Sequence, residues 1–211
     1  MEPGTRSVSA TVWHVFSAFG WILQVNLKRL PENEVKKIHS ETEVLAKLHH
    51  PNIIQFMDVW MADNEEELVF ITEKASGTLK AFIERIHPVK PRMIRKWCRQ
   101  ILNALTYLHE QTPPIIHRDL KCENIFIDSK GDVRIGDFGL STTSGNAQTL
   151  LGTPGFIAPE LFLDGSYNEL ADIYAFGMCL IEMVTNEFPY QEETQGVIAQ
   201  ILRRSADGML L

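Results

Sequence analysis

The chain has 211 residues, 45% of them hydrophobic, enough for an ordinary globular core. Eleven Phe, four Trp and four Tyr exclude a low-aromatic disordered polymer. No apolar run has the length of a bilayer span, so no membrane partner is expected, and a net charge of −7 argues against a nucleic-acid partner.

The charge imbalance is local. No Lys or Arg lies between Arg134 and Arg203, whereas Asp137, Glu160, Asp172, Glu182 and Glu192 fall there. Such a stretch reads as an acidic surface for solubility or as a face that attracts basic peptides. The three cysteines, Cys98, Cys122 and Cys179, are far apart in sequence and fit no metal-ligand spacing. They read as the reduced thiols of a cytoplasmic protein.

In chain order, the apolar stretch 12–23 is only faintly like a secretory signal, because Trp13, His14, Ser17 and Gly20 interrupt it. Residues 24–30 read as a short strand ended by Pro31. Over 31–48, Val35, Ile38, Leu45 and Leu48 share a helical face, with Pro31 at a favoured first-turn position. His50-Pro51-Asn52 breaks that helix, and two strands follow over 53–60 and 67–73. After Ser76-Gly77 the texture becomes helical, and Met93, Trp97, Ile101, Leu105 and Leu108 form one stripe across 91–110. Strand-like pieces at 125–128 and 132–135 flank a turn. Residues 170–185 are apolar almost all round, as in a fully buried helix. The order describes an α+β fold: a small strand-rich lobe over 1–73 and a larger helical lobe over 74–211, with a crevice between them as the expected ligand site.

His117-Arg118-Asp119-Leu120-Lys121-Cys122-Glu123-Asn124 matches the protein-kinase catalytic loop. Asp137-Phe138-Gly139 and then Ala158-Pro159-Glu160 follow. One such tripeptide arises by chance; three in this order, with strand–turn–strand between the first two, are highly specific. Phosphoryl transfer asks for positioning and charge neutralisation more than covalent chemistry. Asp119 would accept the proton of a substrate hydroxyl, and Lys121 would sit beside the moving phosphate. Asn124 and Asp137 offer hard oxygens, the metal ligands Mg²⁺ needs. His117 reads as structural, packing beneath Phe138 and bonding to Asp172.

The whole stretch from about 24 to 208 resembles the with-no-lysine Ser/Thr kinases. The likeness rests on TrpCysArgGlnIleLeu (97–102), ThrProProIleIleHisArgAspLeuLysCys (112–122), AsnIlePheIle (124–127), LeuGlyThrProGlyPheIleAlaProGlu (151–160) and TyrAlaPheGlyMetCys (174–179). The resemblance implies transfer of phosphate from ATP, with Mg²⁺, to Ser/Thr of protein substrates. It implies that Asp172 ties down the catalytic loop and that Thr153 bonds Asp119 as part of the site. It also implies that Thr72, the backbone of Glu73 and Ala75, Phe126 and Glu41 serve the nucleotide. Lys28, in ValAsnLeuLysArgLeu, imitates the motif of the usual phosphate-contacting lysine and is a cofactor-binding candidate on that ground, with a solvent-facing strand lysine as the alternative.

Three departures stand out. No glycine-rich phosphate loop precedes residue 24, so residues 1–23 are atypical. The position of the usual lysine falls on Leu23, as the family name requires, while no Lys precedes Lys28. The final helices of the fold, with the arginine that would pair Glu160, are not expected in this chain. An incomplete or alternatively spliced product would explain both ends. An uncovered apolar face on helix 170–185 would favour self-association through the helical lobe. A non-catalytic kinase-like scaffold is the rival reading.

Overall fold

A computed structural model of the chain describes residues 12–16, 21–26, 46–61, 67–136, 153–162 and 168–190. They fall into two compact units that divide between Lys74 and Ala75, except that residues 50–53 belong with the second.

The first unit holds a four-stranded antiparallel sheet of β1 (Val12–Phe16), β2 (Trp21–Asn26), β3 (Phe56–Met61) and β4 (Glu67–Thr72), in the order β1-β2-β4-β3. Strand β1 lies in the interrupted apolar stretch 12–23, where the sequence pattern predicts no strand. Its β-branched and aromatic residues, Val12, Trp13, Val15 and Phe16, suit a pleated hairpin, and Val12 pairs with Val25 while Phe16 pairs with Trp21. This hairpin moves β2 towards the N-terminus of the expected 24–30. A register shift between Phe56 and Asp58 marks a bulge at the start of β3. That strand starts later than expected because Ile53 is drawn into the second unit. Ile53 bridges Ile135 in parallel, Asn52 Nδ2 donates to the Val133 carbonyl at 2.9 Å, and the Ile135 N–H donates to the Asn52 carbonyl. Most of the expected 31–48 helix lies outside the described residues.

The second unit contains helices α1 (Leu79–Ile86), α2 (Pro91–His109) and α3 (Glu169–Thr185). Its small antiparallel sheet is β5 (Gly77–Thr78), β6 (Ile125–Ile127) and β7 (Val133–Ile135). Local chemistry sets the helix ends. The Thr78 side chain caps α1 by accepting from the Ala81 N–H, Pro91 opens α2, and Asn168 caps α3 by accepting from Leu170 N–H. Asn186 ends α3 with a left-handed φ of 60°.

Trp97, Ile101, Leu105 and Leu108 of the predicted α2 stripe are completely or almost completely buried, and Met93 is half-buried. The Trp97 indole donates to the Gly131 carbonyl and Gln100 donates to Asp132, fixing the β6–β7 turn onto α2. Hydrogen bonds from Lys96 and Gln100 hold the Asp132 carboxyl below its ordinary value.

Helix α3 is apolar almost all round but is not buried on every side; one apolar face is uncovered, as expected for 170–185. Ala171, Ala175, Met178, Cys179 and Met183 are buried, but Leu170, Ile173, Ile181 and Val184 are 64, 43, 46 and 55% exposed. A helix apolar almost all round permits burial of most faces; only the neighbouring elements decide which face is covered.

Candidate active site

The catalytic loop lies between α2 and a single 3₁₀ turn, Cys122–Asn124, that leads into β6. Its backbone is strained: Arg118 has φ 69°, a left-handed conformation that costs an ordinary side chain about 1–2 kcal/mol. Asp172 in the first turn of α3 holds it there. This residue is 1% exposed; it accepts the N–H of His117 on Oδ2 at 2.9 Å and that of Arg118 on Oδ1 at 3.0 Å.

His117 bonds Asp172, as expected, through its backbone N–H; Phe138 lies outside the described residues. The ring Nε2 faces the Gly136 carbonyl at 3.1 Å, a pure acceptor, so Nε2 carries the proton. Nδ1 then accepts from the Asp119 N–H at 3.4 Å. The imidazole beside Asp172 is that of His109, the last residue of α2, with Nε2 at 2.8 Å from Oδ2. Nothing in the sequence singled out His109, since its partner is distant in the chain.

Around Asp119 the structure gathers Lys121, Asn124 and Thr153. The Thr153 hydroxyl donates to Asp119 Oδ1 at 2.7 Å and accepts from Lys121 Nζ at 2.7 Å. The same ammonium lies 2.9 Å from Asp119 Oδ2. Asn124 Nδ2 donates to the Asp119 carbonyl at 2.8 Å and to its Oδ2 at 3.0 Å. One carboxylate thus takes donors from three side chains while remaining partly open to solvent. A substrate hydroxyl arriving there can replace the Thr153 hydroxyl as donor. Both partners of Asn124 Nδ2 are acceptors, which sets the amide orientation and leaves Oδ1 as a hard oxygen suited to Mg²⁺. Asp137, Glu41 and Lys28 lie outside the described residues. Among the described residues no cluster of His, Cys, Asp and Glu forms a metal site.

The nucleotide-binding candidates are placed as follows. Thr72 ends β4 and is buried. Glu73 is braced by Gln55: its N–H donates to the Gln55 carbonyl at 3.0 Å, and its Oε1 accepts from the Gln55 N–H at 2.9 Å. Its carbonyl accepts from the Thr72 hydroxyl at 3.4 Å. In the second unit Ala75 is buried, and the next residue, Ser76, donates its N–H to the Ile127 carbonyl at 2.8 Å. Phe126, half-buried, pairs with Thr78 across the small sheet.

Thr153 owes its position to a turn that only glycine can make. Gly155 has φ +92°, and a Cβ there would stand 2.8 Å from the Pro189 carbonyl oxygen and 3.1 Å from the Phe188 ring. Phe156 packs edge-on against the same ring. Beyond it the Pro159–Phe162 turn seats Ile157, Ala158 and Leu161 against Ala171 of α3. Gly155→Ala is therefore expected to destabilise the protein by about 1–3 kcal/mol and to lower activity by displacing Thr153. Thermal melting and phosphotransfer assays of the variant test this; wild-type values in both would remove the constraint.

A loop with an anchored backbone, a carboxylate, a lysine and an asparagine, followed by a seated Ala-Pro-Glu segment, defines a protein kinase domain. Residues 22–209 match the protein kinase domain family, and the chain belongs to it. It is 49% identical over 173 residues to the serine/threonine-protein kinase pkpA of Phycomyces blakesleeanus, covering 80% of this chain and 28% of that protein. It is 46% identical over 188 residues to the serine/threonine-protein kinase WNK2 of Mus musculus, covering 86% of this chain and 9% of that protein. With WNK3 of Mus musculus it shares 42% over 214 residues, 97% of this chain and 12% of that protein. The resemblance to with-no-lysine Ser/Thr kinases therefore extends over most of the chain, which spans less than a third of each of these relatives.

Proposed function

We propose that this chain transfers the γ-phosphate of ATP to Ser and Thr hydroxyls of protein substrates, with Mg²⁺ as the metal. The observation that carries the reading is the convergence of Lys121, Asn124 and Thr153 on the Asp119 carboxylate. Asp119 accepts the hydrogen of the incoming hydroxyl, aims its oxygen at the γ-phosphorus and takes the proton as the new O–P bond forms and the bond to ADP breaks. Lys121, a fixed cation at the same place, offsets negative charge on the moving phosphoryl group. Asn124, with Asp137, would hold Mg²⁺, which supplies charge neutralisation of the nucleotide phosphates when bound.

The rival reading, a scaffold that binds partners without catalysis, has two observations in its favour: Gly4 and Gly20 are isolated, so no glycine-rich loop precedes β2, and no Lys precedes Lys28. One experiment separates the two. Purified chain is incubated with γ-labelled ATP, Mg²⁺ and Ser-, Thr- or Tyr-containing peptides, with and without a chelator. Label on Ser and Thr only, lost on chelation, is the expected result. No transfer by a folded protein would favour the scaffold.

A further inference from the structure

Beneath the catalytic loop lies a buried charge with no part in the chemistry above. Glu182 of α3 is 0% exposed, a setting in which an unpaired carboxylate is costly. Lys80, in the first turn of α1, reaches its Oε1 at 2.7 Å. Glu182 Oε2 has no hydrogen-bond partner among the described residues, so the bond from Lys80 carries the neutralisation. The same ammonium lies 3.5 Å from Glu84 and in the field of Glu123. One cation therefore serves three carboxylates. Burial alone would lower the pKa of Lys80, but the bond and charge of Glu182, with the neighbouring acids, raise it.

The pair closes a ring around the turn that carries Asn124. Cys122, the first residue of that turn, is fully buried and directs its thiol to the Cys179 carbonyl at 3.8 Å, one helical turn from Glu182. The turn runs into β6, which pairs with β5, and β5 runs directly into α1 and Lys80. Lys80 then returns to α3 through Glu182. Every other link in this ring is a covalent connection, a strand pairing or a neutral contact.

Building on the kinase reading, we infer that Lys80 is a positioning residue for phosphotransfer: its pairing with Glu182 holds the Cys122–Asn124 turn, and through Asn124 the Asp119 carboxylate, in the reactive arrangement. Without Lys80 the buried carboxylate loses this counter-charge. Relief comes by opening α1 or the turn to water, and either movement displaces Asn124 from Asp119.

The test uses the full chain and four variants: Lys80→Met, Lys80→Arg, Glu182→Gln and the double variant Lys80→Met/Glu182→Gln. Hydrogen exchange is followed by mass spectrometry, separately for the catalytic turn and for the middle of α2. Lys80→Met should speed exchange at the turn about tenfold or more, with a smaller change in α2. It should also lower kcat by about tenfold with the KM for ATP nearly unchanged. Lys80→Arg should restore the turn, and the double variant should recover much of it because no unpaired charge remains. Equal acceleration throughout the second unit, or a turn unaffected by Lys80→Met, would overturn the inference. Exchange needs no turnover, so an inactive wild-type chain would count against the kinase reading while exchange still decided the role of Lys80.

Discussion

Asp119→Asn is expected to lower kcat by about 10²–10⁴-fold, the largest kinetic effect in the molecule, with little change in the KM for ATP. The substitution preserves shape but removes the carboxylate that can take a proton. It also turns one of two acceptor oxygens into a donor, facing the Asn124 amide or the Thr153 hydroxyl that now donate to it. The fold should survive. Asp119 is partly solvated, with 24% of its side chain exposed, and its bonds are made within the loop and with Thr153, not across the core. Steady-state kinetics and a melting curve on one preparation suffice. A drop in kcat below about tenfold in a folded variant would mean that another group removes the proton.

Asp172→Ala should instead cost stability, by about 3–5 kcal/mol, and activity with it. The carboxylate is buried and accepts two backbone N–H groups while also contacting His109. Alanine leaves all of these without their acceptor, and each buried orphan costs about 1–3 kcal/mol. The left-handed Arg118 then loses the bond that offsets its strain, so the loop relaxes and Asp119 moves. Against a total stability of about 5–15 kcal/mol the loss is severe. Urea denaturation should show a lower midpoint at unchanged slope. Asp172→Asn, which keeps an acceptor oxygen, should fall between. A cost for alanine below about 1 kcal/mol would show that the loop holds its shape unaided.

Much of this site could be read before any fold was known, for a chemical reason. In the proposed mechanism Asp119, Lys121 and Asn124 act on one small group of atoms, which asks for a single short loop at restricted spacing. The α2 stripe and the β6–β7 hairpin were equally legible, because the periodicity of helices and strands is a local property. Strand β1 was not, because a few apolar residues next to glycine and serine suit several roles until a partner strand selects one.

What the tertiary structure decided are the pairs between distant residues. His109 meets Asp172 and Lys80 meets Glu182 across 63 and 102 positions of chain, and no local pattern marks either pair. Gly155 looks like any turn glycine until the carbonyl of Pro189 is seen where its Cβ would stand. The apolar sequence of α3 likewise could not say which of its faces would be covered. Types and spacings of reactive groups are written locally because chemistry constrains them locally. Burial, counter-charge and steric exclusion arise only when distant segments meet, so the fold alone determined them.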